Sequence, residues 1–271
     1  MTAQRGAVAG PVLTAAELPE VVTEASSRFL TLVDEALPGE VLGFYLTGSV
    51  PLGDFHPGSS DIDGTAVLAK PLTDPERVRG VFEAMPKTPS FDVTYLTFDE
   101  LALPPDPTRT VVFTQTGELL TRPGGPISPV LWSELARQSI AIREAPGLRV
   151  HDDQHALEQF TRDNLTSYWT PKLAELETAI AERPGDEVTP DWIVPWFVLG
   201  IPRLHALLTT GKIVSKSAAG HHALHHWPQT ASLISRALAA RAGSPEAFTV
   251  ADARETVTVG RAVIADALRG N

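Results

Sequence analysis

The sequence predicts an α+β domain with a mixed sheet, followed by an all-α helical bundle. Short apolar runs bounded by turn residues, which are typical of strands, are confined to residues 1–150. Long helical patterns dominate residues 151–271 instead. With 271 residues, 43% of them apolar, the chain is long enough to build a core in each domain. We therefore place the domain boundary at residue 150.

The first domain opens with a predicted helix over 14–37. Thr14 and Glu17 have the spacing of a capping box, and Pro38-Gly39 ends the helix. The apolar runs 41–46 and 65–69 predict the first two strands. The next elements predicted along this half are a helix over 74–85, strands over 90–96 and 109–114, a loop over 122–129 and a short helix over 132–142.

The second domain is predicted to be helical throughout. Helices are expected over 153–183 and 191–210, because each pattern stops at a glycine or a proline-glycine pair. A third is expected near 217–226, with two more toward the C-terminus. The third contains two histidine pairs spaced four residues apart, the spacing that aligns imidazoles for a metal. Without an acidic or cysteine partner in a known pattern, we interpret this segment as solvated and pH-responsive. Its histidines are His221, His222, His225 and His226.

The amino-acid composition and net charge exclude several classes of protein and of site. A formal net charge of −11 does not favour a broad nucleic-acid surface, but it favours a small cationic substrate. The absence of cysteine excludes disulfides, thiolate metal sites and a cysteine nucleophile. No apolar run approaches the length of a membrane span, and residues 1–11 lack the pattern of a signal peptide. We expect a cytoplasmic monomer that binds neither nucleic acid nor membrane.

The most informative motif is Gly48-Ser49, followed after eleven residues by Asp61-Ile62-Asp63. Gly48 and Ser49 end the first strand, where a backbone nest and a hydroxyl can bind a phosphate. Asp61 and Asp63 lie two apart, so they point to one face of a strand. Two like charges held that close favour a divalent cation such as magnesium, which in turn suits a triphosphate. The alternative is an ordinary hairpin with a polar turn.

A third carboxylate belongs to the strand predicted over 90–96. This run alternates apolar and polar residues, and it places Asp92 opposite Phe91 and Val93. If it pairs beside the strand of the first two aspartates, three carboxylates converge, and Asp92 becomes a metal ligand or a base for an attacking hydroxyl. The alternative is that Asp92 flanks the strand on its solvent side. Asp54 is interpreted as a solvated loop residue.

Together these residues resemble the nucleotidyltransferase signature of the polymerase-beta superfamily, a Gly-Ser pair followed about ten residues later by Asp-x-Asp. In the second half, Arg203, the Thr-Gly-Lys-Ile turn over 210–213 and Lys216 resemble the aminoglycoside 3''/9-adenylyltransferase family, with no gap in spacing. The resemblance implies a nucleotidyltransferase domain followed by a helical domain. It also implies magnesium-dependent transfer of AMP from ATP to a hydroxyl of a streptomycin- or spectinomycin-type aminoglycoside, and hence antibiotic resistance.

The resemblance assigns a role to each matched residue. The nucleotide would be bound across an interdomain cleft by Gly48, Ser49, Ser60, Arg203 and Lys216. The metal ligands would be Asp61, Asp63 and Asp92, with Asp92 also the catalytic base. Asp191, in the triplet Pro190-Asp191-Trp192, would contact the substrate. The alternative for Asp191 is a helix N-cap, with Trp192 packed in the first turn.

The chain departs from the family pattern mainly on the acceptor side. The base position, Asp92, is a glutamate in the family, so the side chain here is one methylene shorter. Counterparts are missing for a second substrate aspartate, for a tryptophan in the loop near residue 115 and for an aromatic residue in the last helix, which has the sequence Val257-Thr258-Val259. Two alternatives follow: transfer to another hydroxylated antibiotic or metabolite, or a non-catalytic nucleotide-binding regulatory protein of the same fold.

Overall fold

The computed structural model describes residues 14–269 of the chain. These residues form two compact units, which divide between Leu157 and Glu158. The first unit contains a mixed sheet with helices, and the second is helical. The predicted fold class is therefore confirmed.

In the first unit, six strands form one mixed sheet. The strands are β1 (Val41–Thr47), β2 (Ile62–Leu68), β3 (Phe91–Thr97), β4 (Thr110–Gln115), β5 (Glu118–Pro123) and β6 (Ile140–Arg143). Their order is β5-β4-β3-β2-β1-β6. Only β2 and β3 are parallel in the described sheet, and the helix between them makes the crossover that a parallel pair requires.

Helices cover both faces of this sheet. They are α1 (Glu20–Ala36), α2 (Glu76–Ala84), α3 (Phe98–Leu101) and α4 (Pro129–Arg137). On one face, the Phe29 ring of α1 lies 4.6 Å from the ring of Phe44. On the other face, Trp132 of α4 belongs to a separate apolar cluster. Ala66 and Val67, neighbours in β2, belong to different clusters, as the alternation of a strand requires.

Several element bounds differ from the prediction. The capping box of Thr14 and Glu17 is present, but it closes a short 3₁₀ turn, and α1 begins only after Pro19. Proline lacks the amide hydrogen that would continue the first turn into the helix. The predicted loop over 122–129 begins inside β5, and the predicted helix over 132–142 is α4 followed by β6.

The second unit is a helical bundle, as predicted. Its elements are α5 (Gln154–Asn164), which straddles the division, a π-helical turn (Leu165–Trp169), α6 (Thr170–Ile180), α7 (Ile193–Thr210), α8 (Lys216–His226), α9 (Ala231–Arg241) and α10 (Val250–Arg269). The expectation that no apolar run approaches a membrane span was wrong, because α7 has the length and composition of one, although 56% of that stretch is buried. It packs against α8, α9 and α10, so it serves as the central helix of the bundle.

Candidate active site

The pairing of three strands brings the predicted carboxylates to one edge of the sheet. Asp63 of β2 pairs with Thr47 at the end of β1 and with Asp92 at the start of β3. Residues paired across neighbouring strands lie about 5 Å apart and point to the same face. Asp63 and Asp92 therefore lie side by side. Asp61 precedes β2 at the same edge and is exposed to solvent.

Gly48 packs directly against one of these carboxylates. Its backbone has a φ of +68°, a conformation that side chains other than glycine rarely adopt. A Cβ atom at this position would lie 2.5 Å from Oδ2 of Asp63. Glycine is therefore required here twice, by the backbone conformation and by the close approach of the Asp63 side chain.

The hydroxyl of Ser49 is buried and has no hydrogen-bond partner within the described chain. A buried polar group without a partner costs folding free energy, so such a group in a native protein calls for an explanation. A ligand oxygen at the end of β1 supplies one. The phosphate-binding role predicted for Ser49 fits this observation, but it stays a prediction.

The loop between β1 and β2 is held by its own polar groups. The hydroxyl of Ser60 accepts a hydrogen bond from the His56 amide at 3.1 Å, and the Ser60 amide donates to the His56 carbonyl at 2.8 Å. The His56 ring lies 3.1 Å from Oδ1 of Asp54, whose exposure is only 6%. The interpretation of Asp54 as a solvated loop residue was therefore wrong, since its carboxylate is buried and shapes this loop.

The carboxylate of Asp92 is held from two sides. Its Oδ1 accepts a hydrogen bond from the Ser90 hydroxyl at 3.0 Å, and its Oδ2 accepts one from the Thr116 amide at 3.1 Å. Burial raises the pKa of Asp92, the two hydrogen bonds lower it, and the negative charge of Asp61 raises it further; the net direction is upward. A raised pKa makes a carboxylate a better proton acceptor, which suits a general base.

The three carboxylates are the candidate metal ligands. Among residues 14–269, no group of three or more acidic, histidine or cysteine side chains is arranged to hold a metal ion without further ligands. Each oxygen of Asp92 accepts one hydrogen bond and keeps a second lone pair, so these bonds do not prevent Asp92 from binding a metal. Magnesium usually takes only one or two carboxylates together with substrate phosphates and water, and Asp61 and Asp63 fit that smaller set. The metal-binding roles stay predictions.

The remaining predicted residues lie in the helical unit. Arg203 is in α7, and its Nε donates to the Val214 carbonyl at 3.2 Å, which ties the segment before α8 back to α7. Lys216 is the first residue of α8, directly after the N-cap Ser215. Asp191 is exposed ahead of α7, and the N-cap of that helix is Trp192. The N-cap alternative for Asp191 is therefore wrong, and its substrate role stays a prediction.

Comparison with known proteins finds a family model that matches the helical unit and a solved structure that is similar over most of the chain. Residues 168–265 match the family model of the aminoglycoside adenylyltransferase C-terminal domain. The helical unit is therefore similar to the C-terminal domain of that family. Among solved structures the chain resembles the spectinomycin adenyltransferase AAD(9) from Enterococcus faecialis, determined with ATP and spectinomycin. The match has a TM-score of 0.64 and 17% identity, and it covers 90% of this chain and 99% of that one. No curated protein sequence matches the chain.

The helical unit also contains a buried group of histidines that the sequence analysis missed. His205 of α7 is 2% exposed and His222 of α8 is 3% exposed, and their Nδ1 and Nε2 atoms lie 2.7 Å apart. His205 Nε2 also lies 3.1 Å from Oδ2 of Asp266. The interpretation of the histidine segment as solvated was thus wrong for His222. His205 lies seventeen residues before His222 in the sequence, so no local periodicity could have indicated that the two side chains meet.

Two further residues lie near Asp92 that no motif predicted. Thr114 of β4 is 6% exposed and contacts the backbone of β3 on both sides of Asp92. Thr116, in the turn between β4 and β5, supplies the amide that binds the carboxylate. The Gly117 that follows is a typical hairpin signal, but the target of the turn amide depends on the pairing of β3 with β4.

Proposed function

We propose that this protein is a magnesium-dependent O-nucleotidyltransferase that moves AMP from ATP to a hydroxyl of a streptomycin- or spectinomycin-type aminoglycoside. The observation that carries the proposal is the pairing of Asp63 with Asp92 beside the Gly48-Ser49 turn. AAD(9), which shares the fold, was determined with ATP and spectinomycin, and this supports both the donor and the acceptor class. In this proposal the enzyme acts as a cytoplasmic monomer and confers antibiotic resistance.

The triphosphate is bound by groups that can donate hydrogen bonds or positive charge. The amides and hydroxyl of the Gly48-Ser49 turn bind phosphate oxygens at the end of β1. Ser60 lies at the other end of the same loop and contributes there. Arg203 and Lys216 of the helical unit add cationic contacts to the phosphates, where charge-assisted hydrogen bonds are strong.

Asp61 and Asp63 are the residues that would hold magnesium. A bound magnesium ion supplies neutralisation of the triphosphate charge and polarises the phosphoryl group. The backbone pairing of β2 with β1 and β3 fixes the position of Asp63. It therefore also fixes where the ion would lie at the edge of the sheet.

Asp92 takes the proton of the acceptor hydroxyl. The oxygen then forms a bond to the α-phosphorus while the bond from that phosphorus to the bridging oxygen of the β-phosphate breaks in line, and pyrophosphate leaves. The proton stays on the Asp92 carboxyl until it passes to solvent. The raised pKa of Asp92 brings the carboxylate closer to the basicity that this step needs.

A cationic acceptor suits the charge of the protein and of the site. The chain carries a formal net charge of −11, and Asp191 is exposed on the helical unit. A carboxylate there would pair with an ammonium or guanidinium group of the acceptor. Because several acceptor residues of the family have no counterpart, another hydroxylated antibiotic or metabolite is the second candidate acceptor.

The decisive experiment measures pyrophosphate release from ATP and magnesium with a panel of aminoglycosides, with mass spectrometry to detect the AMP adduct. We expect turnover with at least one aminoglycoside, and a loss of two orders of magnitude or more, roughly, in Asp92→Asn, because a missing general base costs on the order of 10²–10⁴-fold. Asp99→Asn is the matched control, since Asp99 is an exposed aspartate of the same unit in α3.

Two outcomes would contradict the proposal in different ways. Turnover only with a non-aminoglycoside acceptor would move the substrate to the second candidate. If ATP binds by calorimetry, no acceptor releases pyrophosphate and Asp92→Asn behaves like the wild type, the protein is a nucleotide-binding regulator of the same fold.

A further inference from the structure

Thr114 bonds to the backbone of β3 on both sides of Asp92. Its Oγ1 accepts a hydrogen bond from the Val93 amide at 2.7 Å and donates one to the Phe91 carbonyl at 3.2 Å. The side chain is 6% exposed, so neither bond competes with bulk water. One hydroxyl therefore uses its donor and its acceptor to fix the two peptide groups that flank the proposed base.

The backbone hydrogen-bond ladder between β3 and β4 is nearly absent at this point, and the Thr114 hydroxyl takes its place. β3 and β4 share a single register pair, Thr94 with Phe113, next to Thr114. On its other edge, β3 follows β2 in unbroken register from Phe91 to Thr97. The backbone at Asp92 is thus held by regular pairing on the β2 side and by one side chain on the β4 side.

The same strand also controls the carboxylate. Two residues after Thr114, the turn of the β4–β5 hairpin places Thr116 at a φ of +48°, which is uncommon for a residue other than glycine. In that conformation its amide donates to Oδ2 of Asp92 at 3.1 Å. Positive φ at both Thr116 and Gly117 is the type I′ geometry of a two-residue hairpin loop, so the pairing of β4 with β5 sets the direction of this amide.

We propose that Thr114 is a positioning residue for Asp92. By bonding the peptides of Phe91 and Val93, its hydroxyl sets where the short Asp92 side chain lies and keeps the Thr116 amide on it. An aspartate has only one methylene between backbone and carboxyl, so a displaced backbone moves the carboxyl by about the same amount. This inference rests on the proposed function, in which Asp92 takes the proton of the acceptor.

The first test compares three variants in steady-state turnover. Thr114→Val removes the hydroxyl at nearly constant volume, and Thr114→Ser keeps it. Thr65→Val is the matched control, because Thr65 is a fully buried threonine of β2 whose hydroxyl has no partner within the described chain. We expect kcat to fall on the order of tenfold to a hundredfold in Thr114→Val, as displacements near 1 Å can do.

A change in kcat without a change in KM distinguishes a positioning role from a general loss of structure. The KM values for ATP and acceptor should stay within about threefold in Thr114→Val, because the phosphate and acceptor contacts are on other residues. Thr114→Ser and Thr65→Val should keep kcat within about threefold of the wild type. If Thr114→Val does not fold, Thr114→Ala carries the same comparison, since it also removes the hydroxyl.

The second test needs no turnover. Hydrogen exchange of the Thr116 amide is measured by NMR in ¹⁵N-labelled protein, because this amide donates to Oδ2 of Asp92. Loss of the Thr114 hydroxyl should loosen the hairpin and speed the exchange of this amide, whereas Thr114→Ser and Thr65→Val should leave its exchange unchanged.

The two tests fail separately. If the wild type transfers AMP to no acceptor, the proposed function is wrong, while the exchange of the Thr116 amide still decides whether Thr114 holds this amide on Asp92. If Thr114→Val retains both the kcat and the Thr116 amide exchange of the wild type, the positioning role is excluded. An equal rise in both KM values with kcat unchanged would also overturn it.

Discussion

Gly48 must satisfy two requirements of the candidate site, one on its backbone conformation and one on the space beside it. Its positive φ allows the chain to leave β1, and its missing side chain leaves room for the Asp63 carboxylate. These constraints can be separated, because Gly39 has a φ of +70° and a Cβ added there would have no atom within 4 Å. The two glycines share the backbone cost of a side chain, but only Gly48 adds a clash with the proposed metal ligand.

Gly48→Ala should therefore lose both stability and activity, while Gly39→Ala should lose stability alone. The left-handed conformation costs an alanine about 1 kcal/mol, and this cost applies to both variants. The Cβ at 48 would also push Asp63 aside, so we expect kcat/KM for ATP to fall on the order of a hundredfold in that variant only. Urea unfolding and initial-rate kinetics measure the two effects, and equal kinetics in both variants would exclude the role of this contact.

At the level of elements, three helices of the bundle enclose a pair of imidazoles. α7 contributes His205, α8 contributes His222 with His225 and His226, and α10 contributes Asp266. If His205 Nε2 donates to the Asp266 carboxylate, His205 Nδ1 is left as the acceptor for His222 Nε2. This bond requires one ring nitrogen without a proton, so the pair cannot be doubly protonated and intact.

Acidification should consequently destabilise the bundle. The pKa of His222 is lowered to about 4, first by burial and then by the charges of His226, His205 and His225, and burial also lowers the pKa of His205. Because the folded pKa of His222 lies below its unfolded value near 6.5, the unfolded state binds more protons between these values, and stability falls as pH falls through that window. The slope is at most about 1.4 kcal/mol per pH unit for one group.

Urea unfolding followed by helical circular dichroism, at several pH values between 7.5 and 4.5 or so, measures this slope. His222→Gln should flatten it, whereas His221→Gln, at an exposed position of the same helix, should leave it unchanged. Identical slopes for the two variants would contradict the buried pair as the origin. The lowered pKa of Asp266 contributes only below its own ordinary value of 3.8, outside this range.

At the scale of the whole molecule, local patterns predicted the elements better than their partners. The apolar run of β1 and the helical pattern of α8 are recorded in neighbouring residues, so their approximate bounds could be predicted. The edge strand β6 has only four residues, which is too short to show a period of its own, and the prediction therefore merged it with the helix before it.

The same difference between local and long-range information applies to the residues of the candidate site. Gly48, Ser49, Asp61 and Asp63 belong to one motif within sixteen residues of the sequence, which is why the sequence analysis could select them. The contacts of Thr114 and the burial of His222 depend on residues more than ten positions away, which no local pattern records. Long-range pairing therefore decides which polar residues of this chain become functional and which only appear solvated.

The charge of the whole molecule leads to a last expectation, about salt. The net charge of −11 and the carboxylates of Asp54, Asp61, Asp63 and Asp92 near one sheet edge should attract a cationic acceptor over distances beyond contact. The Debye length falls from about 30 Å at 0.01 M salt to about 8 Å at 0.15 M, so this attraction should weaken across that range. We expect kcat/KM for a polycationic aminoglycoside to fall several-fold, roughly, while that for an uncharged hydroxylated acceptor changes little. Stopped-flow or initial-rate measurements at fixed ATP and magnesium give both numbers, and the same salt dependence for both acceptors would show that the charge of the protein does not select its substrate.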